Sequence, residues 1–207
     1  MSLARLIQIQ SDIRVCRDCP AMVGRPVHGS AILSPIYLLG QAPGPREESF
    51  GRPFAYTAGR TLFRWFEETS GVSEDDFRAR VYMAAVARCF PGKGKSGDRV
   101  PNREEIENCR RHILRETQVL KPKLLLPVGK LALCEVLGAR HFPASAKLVD
   151  VIGKSFQIDF HGQHVDVIPL PHPSGLSAWH KTEPGKTLLK RALGKIVDHP
   201  VWREFME

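Results

Sequence analysis

The stretch "SPIYLLGQAPGPREESFGRPFAYTAG", residues 34–59, bears on fold and site at once. Residues 34–40 form a short, almost unbroken apolar run, the pattern of a strand buried on both faces of a parallel sheet. The run ends at Gly40 and enters a loop of glycines and prolines that also carries the adjacent acids Glu47 and Glu48 and the aromatics Phe54 and Tyr56. Such a loop can bring backbone amides against a ligand while offering an aromatic face and an acid, so it reads as the wall of a pocket. The plainer alternative is a long surface turn.

Three further apolar runs follow, "VYMAAVA" (81–87), "KLLLPVG" (123–129) and "HVDVIPL" (164–170). Helical patterns separate them: "AGRTLFRWFEETSG" ending at Gly71, "NREEIENCRRHILRETQVL" opening with Asn102 and Glu105 in capping-box spacing, "GKLALCEVLG", and a last helix in "KTEPGKTLLKRALGKIV". "LVDVIGKSFQIDF" is expected to add a hairpin or an edge pair. Strand and helix in alternation predict an α/β fold with a central, mainly parallel sheet and helices on both sides. Ligands then belong at the carboxyl ends of the strands. Gly40, Arg88 with Cys89, Gly129 and His172 all follow strand ends and are expected to converge on one edge of the sheet.

At 207 residues and 43% hydrophobic composition, with no shift that marks a linker, the chain is expected to form one domain over residues 1–207. A formal net charge of +8 favours an anionic partner, nucleic acid ahead of a membrane surface. No stretch approaches the roughly 20 apolar residues of a membrane span, and "MSLARLIQIQSDIR" lacks the apolar core of a signal peptide. A cytosolic monomer is expected.

The cysteines carry the second signal. Cys16 and Cys19 form a C-x-x-C pair, Cys89 follows the second apolar run, and Cys109 lies in the helix after it. In the reducing cytosol this spacing suggests a metal site more than a disulfide framework. Four thiolates suit zinc as well as an iron-sulfur cubane, so spacing leaves both open. Cys134, in an apolar helix pattern, is read as ordinary core packing.

The 40–59 loop, "HPSGLS" (172–177) and the four cysteines together resemble the iron-sulfur uracil-DNA glycosylases, the family-four branch of that superfamily. The resemblance spans the chain from Cys16 to the helix after Ser177. It implies a three-layer α/β/α sandwich, a [4Fe-4S] cluster on Cys16, Cys19, Cys89 and Cys109, and removal of uracil or another deaminated base from DNA. A glycosylase must extrude its base, hold it by stacking and edge hydrogen bonds, and break an N-glycosidic bond. Phe54 matches the family's stacking aromatic. The backbone around Gly40, Gln41 and Ala42 is placed to contact the base, and His172 would donate to the base oxygen that gains charge as the bond breaks. Leu176 would wedge into the base stack, with Ser174 beside it on the DNA. The basic loop 88–103, with Arg88, Lys93, Lys95 and Arg99, could track phosphates.

Two positions depart from the family pattern. Its first motif begins Gly-Glu-Ala-Pro-Gly, but here Gln41 replaces the acid and cannot act as a general base. Water positioning would rest on Gln41 as a hydrogen-bonding group or pass to Glu47 or Glu48. An Asn that reads the uracil edge shortly before the third cysteine is replaced by Ala85, which widens the expected substrates to hypoxanthine, xanthine or a damaged pyrimidine. A DNA-binding module that kept the fold and cluster but lost efficient catalysis is the alternative. A suicide glycosylase that crosslinks to its product ranks low, because no His-containing basic insertion follows the first motif.

Overall fold

In the computed structural model, which describes residues 2–95, 97–175 and 177–206, the first apolar run forms β1 (Ile36–Gly40), and all five of its residues are buried. The other runs form β2 (Tyr82–Ala85), β5 (Leu124–Pro127) and β7 (Gln163–Val167). These lie in one five-stranded sheet in the order β2-β1-β5-β7, with a fifth strand beyond β7. β1 runs parallel to β2 and β5, and β5 parallel to β7. β6 (Phe156–Phe160) pairs antiparallel with β7, so the expected hairpin forms the far edge. A short antiparallel pair, β3 (Lys93–Gly94) with β4 (Gly97–Asp98), stands apart from the sheet.

Helices flank the sheet. α1 (Leu3–Val15) packs on α5 (Arg103–Leu120), while α3 (Thr57–Ser70) packs on α4 (Glu74–Arg80) and α7 (Gly185–Val197). α2 (Glu47–Phe50) is a single turn inside the 40–59 loop, α6 (Lys130–His141) follows β5 against the sheet, and α8 (Pro200–Met206) closes the chain against α7. The Asn102–Glu105 capping box is present at the start of α5, with both reciprocal hydrogen bonds made. On α6 the buried stripe is Ala132, Leu133, Val136 and Leu137. Cys134 falls off that stripe and is exposed, so the core reading of Cys134 is corrected. The sequence pattern does not mark α1 as a helix; its buried face is Leu6, Ile9, Gln10 and Ile13. No helix among the described residues is long and apolar enough to cross a membrane.

The sheet also dictates how the 40–59 loop leaves it. The carbonyls of Gly40 and Gln41 accept from the amides of Val86 and Ala87 at 2.9 and 3.0 Å, extending the β1–β2 pairing past the strand ends. The loop then returns so closely that a Cβ on Gly59 would lie 1.7 Å from the carbonyl oxygen of Phe54. Gly59→Ala is therefore expected to lose about 1–3 kcal/mol of stability by overpacking against backbone that cannot give way. Thermal unfolding checks this, and an unchanged transition would mean that the loop is softer than its packing implies.

Candidate functional site

Phe54 sits in the 40–59 loop with φ of 54°, a left-handed conformation that costs a bulky residue roughly 1–3 kcal/mol. The strain is held from several sides. Arg78 on α4 donates from Nη1 to the carbonyl of Pro53 at 3.0 Å and from Nη2 to that of Phe54 at 2.8 Å. Glu47 ties the two arms of the loop: Oε2 accepts from the amide of Gly44 at 3.0 Å and Oε1 from that of Ala55 at 3.1 Å. Burial pushes the Glu47 carboxyl above its ordinary pKa, opposed by these amides. The Phe54 ring then lies over Gly40, where a Cβ would come within 2.9 Å of its Cζ. No sequence signal marks Arg78 for this role, because it lies 24 residues beyond the carbonyl it holds.

His172 arrives from the segment after β7 and packs on Gly129. Its Nδ1 accepts from the backbone amide of Ser174 at 3.2 Å. Burial lowers its pKa below the ordinary histidine value, with Asp98 opposing weakly, so the ring is neutral near pH 7. A neutral imidazole whose Nδ1 is an acceptor carries its proton on Nε2, which makes that atom a donor.

These parts meet in one cavity of about 590 Å³. Gly40, Gln41, Ala42, Phe54, Ala85 and His172 all line it, as do Glu47 and Ser174. Tyr56 of the same loop lines it too, with the Arg46 guanidinium 4.8 Å from its ring centroid, and sequence reasoning missed the wall made by Gly97 and Asp98 on the β3–β4 hairpin. Only the presence of Asp98 as a single acid in a basic loop could have hinted at that hairpin. Glu48 is exposed and lies 4.0 Å from Arg25, outside this cavity. A wider depression of about 900 Å³ between α6 and the β6–β7 hairpin holds none of the predicted site residues.

The second cavity, about 150 Å³, is lined by Cys16, Cys19, Cys89 and Cys109 together with Arg88 and His112. The strand-end residues therefore do not share one place: Arg88 and Cys89 belong to this chamber, while Gly40 and His172 belong to the first. Burial pushes the Cys89 thiol up to about 12, and the other three cysteines raise it further. Four neighbouring thiols need a cationic group before they can ionise together. Asn108 and Arg111 approach the sulfurs of Cys19 and Cys16 at 3.6 Å each, and the backbone amide of Arg88 donates to Cys109. Among the described residues no three His, Cys, Asp or Glu groups gather tightly enough for a single ion. Zinc draws four thiolates to about 2.3 Å from one point. Four thiols lining one chamber are a donor set that an iron-sulfur cluster or a zinc ion can use.

The expected phosphate contacts divide. Arg88 is 1% exposed and bonds through Nη2 to Glu116 at 2.5 Å, so it cannot reach DNA; that assignment is corrected by its burial. Arg99 makes paired bonds of 2.7 Å to Glu105, the capping-box acid, and is committed to the start of α5. Lys93 and Lys95 are exposed, with Lys93 2.6 Å from Asp98. Leu176 lies outside the described residues.

A family model described as the uracil DNA glycosylase superfamily matches residues 26–195. The chain is similar to a Type-4 uracil-DNA glycosylase of Pyrobaculum aerophilum, with 32% identity over 85% of each chain. It is also similar to Type-4 uracil-DNA glycosylases of Thermotoga maritima, 30% identical over 83% of each chain, and of Saccharolobus solfataricus, 25% identical over 80% of this chain and 74% of the relative.

Proposed function

The chain belongs to the uracil-DNA glycosylase superfamily, and from that premise we propose that it hydrolyses the N-glycosidic bond of uracil in DNA, opening base excision repair. The observation that carries the reading is the neutral His172, its Nδ1 occupied by the Ser174 amide, lining the same cavity as the strained Phe54. Uracil flipped from the duplex stacks on the Phe54 ring. The Nε2–H of His172 donates to the pyrimidine O2, a bond that strengthens as the glycosidic bond breaks and the base leaves as an anion. The sugar becomes oxocarbenium-like and takes up water, which the Gln41 side chain orients by hydrogen bonding, and the proton that water gives up neutralises the departed uracil anion. Glu47 acts as the loop's tie, since both of its oxygens hold backbone amides. Lys93 and Lys95 would meet phosphates beside the cavity.

Cys16, Cys19, Cys89 and Cys109 would hold a [4Fe-4S] cluster, which when bound fixes the α1–β1 segment to the start of α5 and supplies a one-electron centre. No step of the hydrolysis passes through it. The protein is proposed to act as a monomer, as one domain.

The test is incubation of purified protein with oligonucleotides carrying uracil, hypoxanthine or xanthine, followed by alkali to cleave abasic sites. Strand cleavage at uracil is expected. Retention of the DNA with no cleavage would instead identify a binding module. Ala85 lines the cavity floor at the end of β2, opposite Gly40 in register. Ala85→Asn would place an amide able to pair with O4 and N3–H, and should favour uracil over hypoxanthine by about 1–3 kcal/mol in relative release. An unchanged ratio in folded protein would mean that position 85 does not meet the base.

A further inference from the structure

Beneath the cysteine chamber lies a polar cluster that the glycosylase reading does not use. Glu116, fully buried, accepts from Tyr37 Oη at 2.6 Å, from Tyr82 Oη at 2.8 Å and from Arg88 Nη2 at 2.5 Å. Tyr37 and Tyr82 face each other from β1 and β2, and Gln10 of α1 donates to Tyr82 Oη at 3.3 Å. The carboxylate thus fixes one edge of the Arg88 guanidinium. The rest of it is left over: among the described residues nothing accepts from Arg88 Nε or Nη1.

His112, 3% exposed on α5, is in the same condition, since neither ring nitrogen has a partner among the described residues. Both side chains line the chamber of the four cysteines. Buried N–H donors left without acceptors are rare, because the interior returns none of the hydration they lose. Two of them beside four thiols suggest that their acceptors arrive with the group the thiols hold.

We propose that Arg88 and His112 are positioning donors to the sulfurs of that group, with Glu116, Tyr37 and Tyr82 as the cage that aims Arg88. The proposal rests on the reading of the chamber as an iron-sulfur site. Arg88 carries a full charge and two donor nitrogens, Nε and Nη1, without acceptors; His112, neutral because burial lowers its pKa to about 4, carries one N–H. A cluster held by four thiolates is anionic and grows more so on reduction, so N–H donors and a fixed cation favour its reduced form and raise its potential.

The test is the midpoint potential of the cluster, by EPR-monitored titration, with the rate at which its visible absorbance bleaches in air. His112→Leu removes a donor at similar size. Arg88→Met combined with Glu116→Gln removes both buried charges together, so that neither is left alone. In each the potential should fall and bleaching should run about tenfold faster. His112→Gln, which restores an N–H, should return both readings toward wild type. Unmoved potential and bleaching in either folded, iron-loaded variant would overturn the proposal, leaving the cluster itself intact. Wild-type protein from iron-replete cells that contains zinc and no iron would overturn the cluster reading and this proposal with it.

Discussion

His172→Ala is expected to slow single-turnover release of uracil by about 100-fold, the scale of losing one donor aimed at a developing charge. DNA affinity should change far less, because the hydrogen bond to O2 is weak in the ground state and strong only as the anion forms. The pH dependence follows from the same geometry. Burial holds the His172 pKa below its ordinary value of 6.5, so the neutral form that donates from Nε2 persists through neutrality. Release should therefore be flat as pH falls toward 6.5 and decline only below it, where protonation leaves Nε2–H in place but removes the Nδ1 lone pair that accepts from Ser174 and orients the ring. Loss of affinity with release unchanged would make His172 a contact to DNA and not to the departing base. An acid limb above 6.5 would mean that the ring is charged in the resting enzyme.

Cys109→Ala should abolish the cluster and much of the stability together. Cys109 is 6% exposed on α5, while Cys16 and Cys19 follow α1 and Cys89 follows β2. A group bound by all four ties three distant parts of the chain, and its binding free energy becomes folding free energy. Loss of about four irons per chain is expected, with a stability loss of about 4–5 kcal/mol. That corresponds to a fall of roughly 10–20 °C in melting temperature for a chain of this size. Iron analysis and thermal unfolding on anaerobically prepared protein read both. Full iron content in the variant would remove Cys109 from the ligand set.

Much of this molecule is legible along the chain where neighbours in sequence are neighbours in space. The apolar runs at β1, β2 and β5 are buried throughout and mark the sheet, although β2 lies at its edge. The Asn102–Glu105 box closes on itself within one helical turn. α1 escapes because Gln10 interrupts its apolar stripe; Gln10 is buried all the same, bonded to Tyr82 across 72 residues. Cys134 was misread because an apolar segment does not say which angular position on the helix faces inward.

The order of residues along the chain supplies the chemistry: a glycine-rich loop with an aromatic, a histidine after the last strand, and four cysteines in an order that speaks of one bound group. It could not say which charges remain free, because that depends on partners far away in the chain. Arg88 stands in a run of basic residues and reads as a phosphate contact, yet Glu116, 28 residues later, takes it into the interior. It takes the folded chain to put Arg88 in the cysteine chamber while Phe54, Ala85 and His172 share another cavity. The two sites begin within a few residues of each other at the end of β2, and there the alternation of side chains across the sheet and the turn that follows send each residue its own way.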